Sequence, residues 1–117
     1  MNLATVRQFC LALPHATEEV LWGQDLVFKI GGKMFAALPL EPSPTKPLQL
    51  SFKCTPAEFA ELCEREGIFP APYAARYHWA ALESWKALSQ AETERLIQSS
   101  YAMVFDKLPK KTRLTLT

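Results

Sequence analysis

The most informative hydrophobic pattern in this sequence is a pair of apolar runs, rich in Val, Ile and Phe, on either side of the dipeptide Gly31-Gly32. A two-residue hairpin loop needs positive φ at both positions, and glycine adopts positive φ without steric cost. The pattern therefore predicts a β-hairpin over residues 22–38. The expected cross-strand pairs are Ile30 with Lys33, Phe28 with Phe35 and Leu26 with Ala37.

This register also divides the hairpin into two faces, because successive side chains of a strand point to opposite sides of the sheet. The face that carries Phe28 and Phe35 is expected to be covered by helices. The other face has Lys29 in its middle and is expected to stay open to solvent. The residues assigned to the open face are Val27, Lys29, Met34, Ala36 and Leu38.

Three other stretches combine apolar residues at helical spacing with start and stop signals. Asn2, Thr55 and Ser89 are suitable N-cap residues, and proline or glycine follows each stretch. The predicted helices are residues 2–13, before Pro14; residues 55–67, closed by Gly67; and residues 89–108, before Pro109.

Shorter apolar runs predict the remaining strands. Residues 48–53 alternate cleanly, with Leu48, Leu50 and Phe52 inward. The resulting order, α-β-β-β-β-α-β-α, predicts a single α+β domain over residues 1–117, with an antiparallel sheet and helices on one face. The other predicted strands are residues 19–22 and 77–82. Residues 39–47 are expected to form a proline-rich loop and residues 68–73 a connection between elements. Residues 110–117 are expected to form a frayed tail or a weak edge strand.

The composition is typical of a soluble globular protein, with 117 residues of which 49% are apolar and 21% charged. No apolar run is long enough to cross a bilayer, and the N-terminus lacks the pattern of a signal peptide. We therefore expect a cytoplasmic protein without membrane contact. The three cysteines lack the spacing of a disulfide or zinc framework. Cys10 and Cys63 lie on predicted buried helix faces, whereas Cys54, at a strand end, should be the more reactive thiol.

Charge is unevenly distributed, although the formal net charge is only +1. Residues 23–53 hold four lysines against two acids, and residues 107–117 hold four basic residues and no acid. Residues 54–66 are acidic, with four glutamates against one arginine. The molecule should therefore have an acidic side and a basic side, and a basic surface suits a phosphate backbone.

Motifs for catalysis or metal binding are not found in the sequence. It has no nucleophile motif, no zinc-ligand spacing and no phosphate loop, because Gly31-Gly32 lies in a hairpin and not before a helix. His78 is interpreted as a structural histidine, the glutamates of the second predicted helix as a solvated face, and the three tryptophans as core residues rather than the lining of a small-molecule cleft. We therefore expect no enzymatic activity, no cofactor and no metal.

Several short segments carry a family resemblance. They are residues 10–14 (CLALP), 22–23 (WG), 26–36 (LVFKIGGKMFA), 50–54 (LSFKC), 70–73 (PAPY) and 107–111 (KLPKK). In order and spacing, these segments resemble the MmcQ/YjbR family over nearly the whole chain. The resemblance implies a fold similar to that of frataxin (CyaY-like) and a DNA-binding function through a double-wing motif. A frataxin-like iron site is not expected, because the first helix carries Arg7 and Gln8 and no acidic row.

The family description and the charge pattern together predict weak, sequence-independent DNA binding through phosphate contacts on the open sheet face. The hairpin at Gly31-Gly32 and the loop before Leu48 would form the two wings. The alternative is a non-enzymatic module that binds a protein partner or a small ligand on the same face. The predicted phosphate contacts are Lys29, Lys33, Lys53, Arg76, Lys110, Lys111 and Arg113, and the apolar contacts of the alternative are Val27, Met34 and Leu38.

Overall fold

The computed structural model describes residues 1–21, 23–41, 50–72 and 74–116. Within these ranges the chain forms four α-helices and six β-strands, and the strands assemble into one antiparallel sheet backed by helices. The predicted α+β class is therefore confirmed. The helices are α1 (Leu3–Ala12), α2 (Pro56–Leu62), α3 (Gln90–Asp106) and α4 (Lys110–Thr115), and the strands are β1 (Thr17–Leu21), β2 (Asp25–Ile30), β3 (Lys33–Pro39), β4 (Leu50–Lys53), β5 (Ile68–Pro70) and β6 (Trp79–Leu82).

The strands lie in the order β1-β2-β3-β4-β6-β5 across the sheet. None of the helices in the ranges given above is long and apolar enough to cross a membrane. Some predicted features lie outside the described residues, namely Trp22, Leu48 and most of the loop at residues 39–47. The second wing therefore stays a prediction.

Local capping signals set the starts of three helices. The side chains of Asn2, Thr55 and Ser89 each accept a hydrogen bond from the backbone N–H three residues later, at distances of 2.9–3.1 Å. These bonds satisfy donors that the first helical turn leaves unpaired. The three predicted starts are confirmed, whereas α2 ends at Leu62 instead of continuing to Gly67.

The hairpin between β2 and β3 turns at Gly31-Gly32, as predicted. Both glycines have positive φ, 59° and 82°. Ile30 pairs with Lys33 directly beside the turn, which also agrees with the prediction. A local turn signal was therefore sufficient to locate the hairpin.

A β-bulge then changes the register of this hairpin. Phe28 pairs with Ala36 and not with Phe35, so Phe35 is an extra residue in β3. An extra residue reverses the face of each side chain that follows it. The predicted pairs beyond the bulge are therefore wrong, and so is the assignment of Ala36 and Leu38 to the open face, since both are buried in the helix-covered core. The observed pairs are Phe28 with Ala36, Val27 with Ala37 and Leu26 with Leu38.

The main core lies between the sheet and helices α1, α2 and α3. Although Phe28 and Phe35 are not paired in the ladder, both side chains are fully buried and their ring centroids lie 6.4 Å apart. Phe35 also meets Tyr101 of α3 edge to face, at 5.3 Å between centroids. This aromatic contact joins α3 to the bulged strand.

Three segments differ from the sequence prediction. Residues 68–70 form β5, an edge strand paired with β6, although three residues are too few for an alternating pattern to be visible. The predicted strand at residues 77–82 begins only at Trp79, because residues 75–77 form a 3-10 helix that ends at His78 with a φ of 63°. The C-terminal segment forms α4 instead of a frayed tail or weak edge strand, and Leu116 packs against the core behind it.

The cysteines also depart from expectation in their exposure. Cys10 on α1 is fully buried, as predicted. Cys54 is buried as well, at 2% exposure, whereas Cys63 is only half-buried. The expected order of these last two is therefore reversed, because Cys54 continues the inward row of β4 and Cys63 caps the end of α2.

Candidate nucleic-acid interface

A groove runs across the open face of the sheet. Ala37 of β3, Ser51 of β4 and Trp79 of β6 line it, and their strands are neighbours in the sheet. Its volume is about 1630 Å³, whereas pockets that enclose a drug-sized ligand have about 300–1,000 Å³. The groove therefore suits a segment of an extended chain better than one enclosed small molecule.

The floor of the groove is apolar on its β5–β6 side. Trp79, Ala71 and Ala81 form a second, smaller cluster of buried residues, and Phe69 packs against it. Tyr77 stands at the rim with 52% of its surface exposed. An aromatic and apolar floor offers contact to bases or to apolar side chains without a charge requirement.

The described residues at the two ends of the groove carry opposite charges. Lys33 begins β3 and Lys53 ends β4, so in this antiparallel sheet both lie at the end near the hairpin turn, and Lys107 joins them there. We call this end, defined by Lys33, Lys53 and Lys107, the basic end. Asp25 and Glu41 line the opposite end.

The hydrogen bonds of Ser100 explain how the C-terminal end of α3, with Lys107, comes to lie beside this groove. The ladder between β3 and β4 ends at the pair of Ala36 and Phe52. Beyond that pair, the Ser100 hydroxyl donates to the Phe35 carbonyl at 2.6 Å and accepts from the Lys53 N–H at 3.0 Å. The helix therefore takes the place of a missing ladder bond, and its C-terminal end reaches the groove.

Lys107 follows Ser100 by seven residues, about two helical turns, so the two residues lie on the same side of the helix. Burial of Lys53 lowers the pKa of its ammonium group, and the positive charge of the nearby Lys107 lowers this pKa further. Two cations, an exposed Lys107 and a half-buried Lys53, thus lie near each other at this end of the groove.

Four cations elsewhere on the described surface have acidic partners. Four ion pairs involve Arg7, Lys29, Arg65 and Arg95, with distances of 2.6–3.4 Å. Among the described residues, the three lysines of the basic end take part in no ion pair with an acid. The basic end is therefore a local excess of positive charge rather than one half of a charge-balanced surface.

The structure separates two of the predicted phosphate contacts from this end. Lys29 lies on the open face, but its ammonium group is 2.7 Å from a carboxylate oxygen of Glu19 on β1. Arg76 donates to the Tyr77 hydroxyl at 2.6 Å and lies over the same ring, 4.8 Å from its centroid. Lys29 is thus neutralised, and Arg76 is held on the rim beside the 3-10 helix.

The other predicted contacts belong to the basic end or to α4 behind it. Lys33 and Lys53 both line the groove. Lys110 and Lys111 are exposed on α4, which begins directly after Pro109 of the groove, while Arg113 is half-buried. The hairpin turn also lies close to this end, because a Cβ on Gly31 would be 2.6 Å from the Leu108 side chain.

Lys107 is the residue that the sequence prediction missed. A lysine at the C-terminal end of a helix is common because it compensates the helix dipole, so its position alone does not indicate a binding site. Its position near Lys53 depends on how α3 packs between β3 and β4. The only available signal was the positive charge of residues 107–117.

Comparisons with known proteins agree with this architecture. The family model described as YjbR matches residues 11–103. The crystal structure of the Deinococcus radiodurans protein DR2400, described as a DUF419 domain, has a TM-score of 0.86 and 27% identity, with coverage of 98% of this chain and 87% of that one. A crystal structure of a Pseudomonas syringae protein shows the same fold, with a TM-score of 0.73, 19% identity and coverage of 89% and 99%. No curated protein matches the chain.

Proposed function

The chain belongs to the YjbR family, and we propose that it is a cytoplasmic, non-catalytic protein that binds nucleic acid without base specificity at the basic end of its groove. One observation carries this proposal. Lysines from the start of β3, the end of β4 and the end of α3 converge there, and none of the three forms an ion pair with an acid among the described residues.

The chemistry of lysine determines the expected mode of binding. An ammonium group is a point charge that neutralises a phosphate but carries no information about the bases. Binding should therefore be weak at physiological salt and similar for all sequences. The exposed α4 lysines, Lys110 and Lys111, supply further charge next to the basic end.

The groove favours a single strand over a duplex. Unpaired bases can contact the apolar floor around Trp79 and Tyr77 while the phosphates meet the lysines, whereas the bases of a duplex are stacked inside it. Asp25 and Glu41 repel phosphates at the opposite end. We therefore expect only a short stretch of a strand to occupy the groove.

The test is fluorescence anisotropy with a labelled single strand and a labelled duplex over a series of salt concentrations. The triple variant Lys33→Ala, Lys53→Ala, Lys107→Ala should bind all sequences more weakly. Its slope of log affinity against log salt should be shallower by about 2 for a single strand, since each neutralised phosphate contributes about 0.7.

The matched control removes three positive charges elsewhere, by Arg65→Ala, Lys86→Ala and Arg95→Ala. Arg65 and Arg95 lie between α2 and α3, where each is paired with a glutamate. This control should keep the wild-type slope. The proposal is wrong if the wild type does not bind at about 20 mM salt, where electrostatic attraction is least screened, or if both triple variants lose affinity equally.

The opposite charges of the two groove ends favour a second candidate, an extended protein segment bound along the groove. Such a segment would place an anionic group at the basic end and a cationic group near Asp25 and Glu41. Of the apolar contacts expected for this role, Met34 is exposed and lines the groove, Leu38 lines it but is buried, and Val27 is buried. If no nucleic-acid strand binds even at low salt, the extended protein segment would be the favoured ligand.

A further inference from the structure

Two lysines that line the basic end of the groove, neither of them in an ion pair among the described residues, form an arrangement that an anion would stabilise. Lys53 comes from the end of β4 and Lys107 from the end of α3. Their like charges repel each other, and the partial burial of Lys53 reduces the screening of that repulsion by water. An anion between them would replace the repulsion by two attractions.

The pair is held in place by the backbone around it. Ser100 accepts a hydrogen bond from the Lys53 N–H at 3.0 Å, and Ser100 and Lys107 lie on the same side of α3. The same hydroxyl donates to the buried Phe35 at 2.6 Å. The Cα positions of both lysines are therefore fixed relative to each other before any ligand binds, which reduces the entropy lost on binding.

The charge of the pair indicates which anion fits. A carboxylate, or the diester phosphate inside a strand, carries one negative charge and would leave one ammonium group uncompensated. A phosphomonoester carries a charge of about −1.5 to −2 at pH 7 and has three acceptor oxygens, enough for both ammonium groups. The apolar surface of Trp79, which pairs with Lys53 across β4 and β6, offers a place for the attached base.

We infer that Lys53 and Lys107 form a phosphomonoester subsite that binds the terminal phosphate of a nucleic-acid strand at the basic end of the groove. This inference rests on the proposed nucleic-acid binding for the identity of the strand. It adds that the end of a strand is recognised rather than its interior. The acidic residues at the far end of the groove agree with end binding, because they disfavour a strand that continues through the whole groove.

The experiment compares two single strands of one sequence, one with a 5′-phosphate and one with a 5′-hydroxyl, by fluorescence anisotropy at low salt. The wild type should bind the phosphorylated strand about tenfold more tightly, the size expected for an added charge-assisted contact. Lys53→Gln and Lys107→Gln should each remove this preference. Lys111→Gln, which removes an equal charge from α4, should weaken both strands alike and keep the preference.

A titration with a nucleoside 5′-monophosphate, and one with inorganic phosphate, distinguishes the sources of the phosphate group. The backbone amide NMR signals of Lys53 and Lys107 should shift with the monophosphate, and the shifts should be absent from the two Gln variants. Inorganic phosphate should shift them less, because it makes no base contact. Thermal unfolding of each variant confirms that it is folded.

The outcomes separate this inference from the proposed function. Equal binding of both strands by the wild type, without a response to the monophosphate, would overturn the subsite and leave general nucleic-acid binding standing. A monophosphate response without strand binding would support the subsite for a small nucleotide and overturn the nucleic-acid proposal. A 5′-phosphate preference that persists in both Gln variants would also overturn the assignment to Lys53 and Lys107.

Discussion

Burial raises the pKa of the Cys10 and Cys54 thiols to about 12, because a thiolate in apolar surroundings loses its hydration. For Cys54, the negative charge of Glu58 contributes in the same direction. Cys63 lies at the end of α2 and is half-buried, and burial also raises the pKa of its thiol. The three thiols of one chain thus differ in access to reagents as well as in ionisation.

We expect Cys63 to react first with a thiol reagent in the native protein at pH 8. Cys10 and Cys54 should react only after denaturant is added, because reaction requires an accessible thiolate. Raising the pH to about 9 should accelerate the reaction of Cys63 with the reagent, while Cys10 and Cys54 remain protonated. Cys63→Ser is the control and should show no fast phase. If two or three thiols per native chain reacted quickly with the reagent, this assignment would be contradicted.

At the scale of elements, Ser100 connects α3 to the two strands that separate in front of it. Its hydroxyl is fully buried and bonds both to the carbonyl of Phe35, the bulged residue of β3, and to the N–H of Lys53 in β4. Two backbone groups that leave the sheet ladder are thereby satisfied by one side chain. The bulge, the end of the β3–β4 ladder and the basic end of the groove share this single contact.

The substitution Ser100→Ala should lower the free energy of unfolding by about 2–6 kcal/mol, since it leaves two backbone groups without a partner and each costs about 1–3 kcal/mol. Urea denaturation measures this change. Ser99→Ala, at the half-buried neighbouring position on the same helix, is the control and should stay within about 0.5 kcal/mol of the wild type. Similar losses in both variants would show that Ser100 has no special role.

At the scale of the whole molecule, the ion pairs of the described residues lie away from the basic end of the groove. Arg7 of α1 is paired with Glu18 of β1, and Arg65 is paired with Glu92 of α3, at 2.6 and 3.0 Å. Hydrogen bonds from these arginines hold the pKa values of Glu18 and Glu92 below their usual range. These pairs link elements on the helical side, while positive charge is concentrated at the basic end of the groove.

This arrangement predicts how stability depends on pH. A carboxyl group with a lowered folded-state pKa contributes stability above its unfolded pKa of about 4.3, and this contribution is lost as pH falls through the folded value. The urea midpoint should therefore decrease between pH 6 and pH 3. The double variant Glu18→Gln, Glu92→Gln should be less stable than the wild type at pH 6 and should lose less on acidification.

The control for the pH series is Glu64→Gln with Glu83→Gln. Both glutamates are exposed, and neither takes part in an ion pair among the described residues. The urea midpoint of this control should change with pH in the same way as that of the wild type. Parallel curves for the wild type and the Glu18, Glu92 double variant would show that the two ion pairs do not contribute to the pH dependence.

The sequence by itself determined the features that depend on neighbouring residues. Gly31-Gly32 predicts the hairpin turn because glycine alone adopts two successive positive φ angles at low cost. Asn2, Thr55 and Ser89 predict helix starts because a cap bonds only three residues ahead. The same local reasoning selected Lys33 and Lys53, two of the three lysines at the basic end.

Only the tertiary structure decided the features that depend on residues distant in the chain. The bulged residue Phe35 and Lys53 at the end of the β3–β4 ladder are both hydrogen-bonded by Ser100, which lies 65 and 47 residues away from them. The neutralisation of Lys29 depends on Glu19 in another strand, and the convergence of Lys53 and Lys107 at the basic end depends on the packing of α3. Local propensity and charge counts contain no such distances, so the position of the groove's charge follows from the fold.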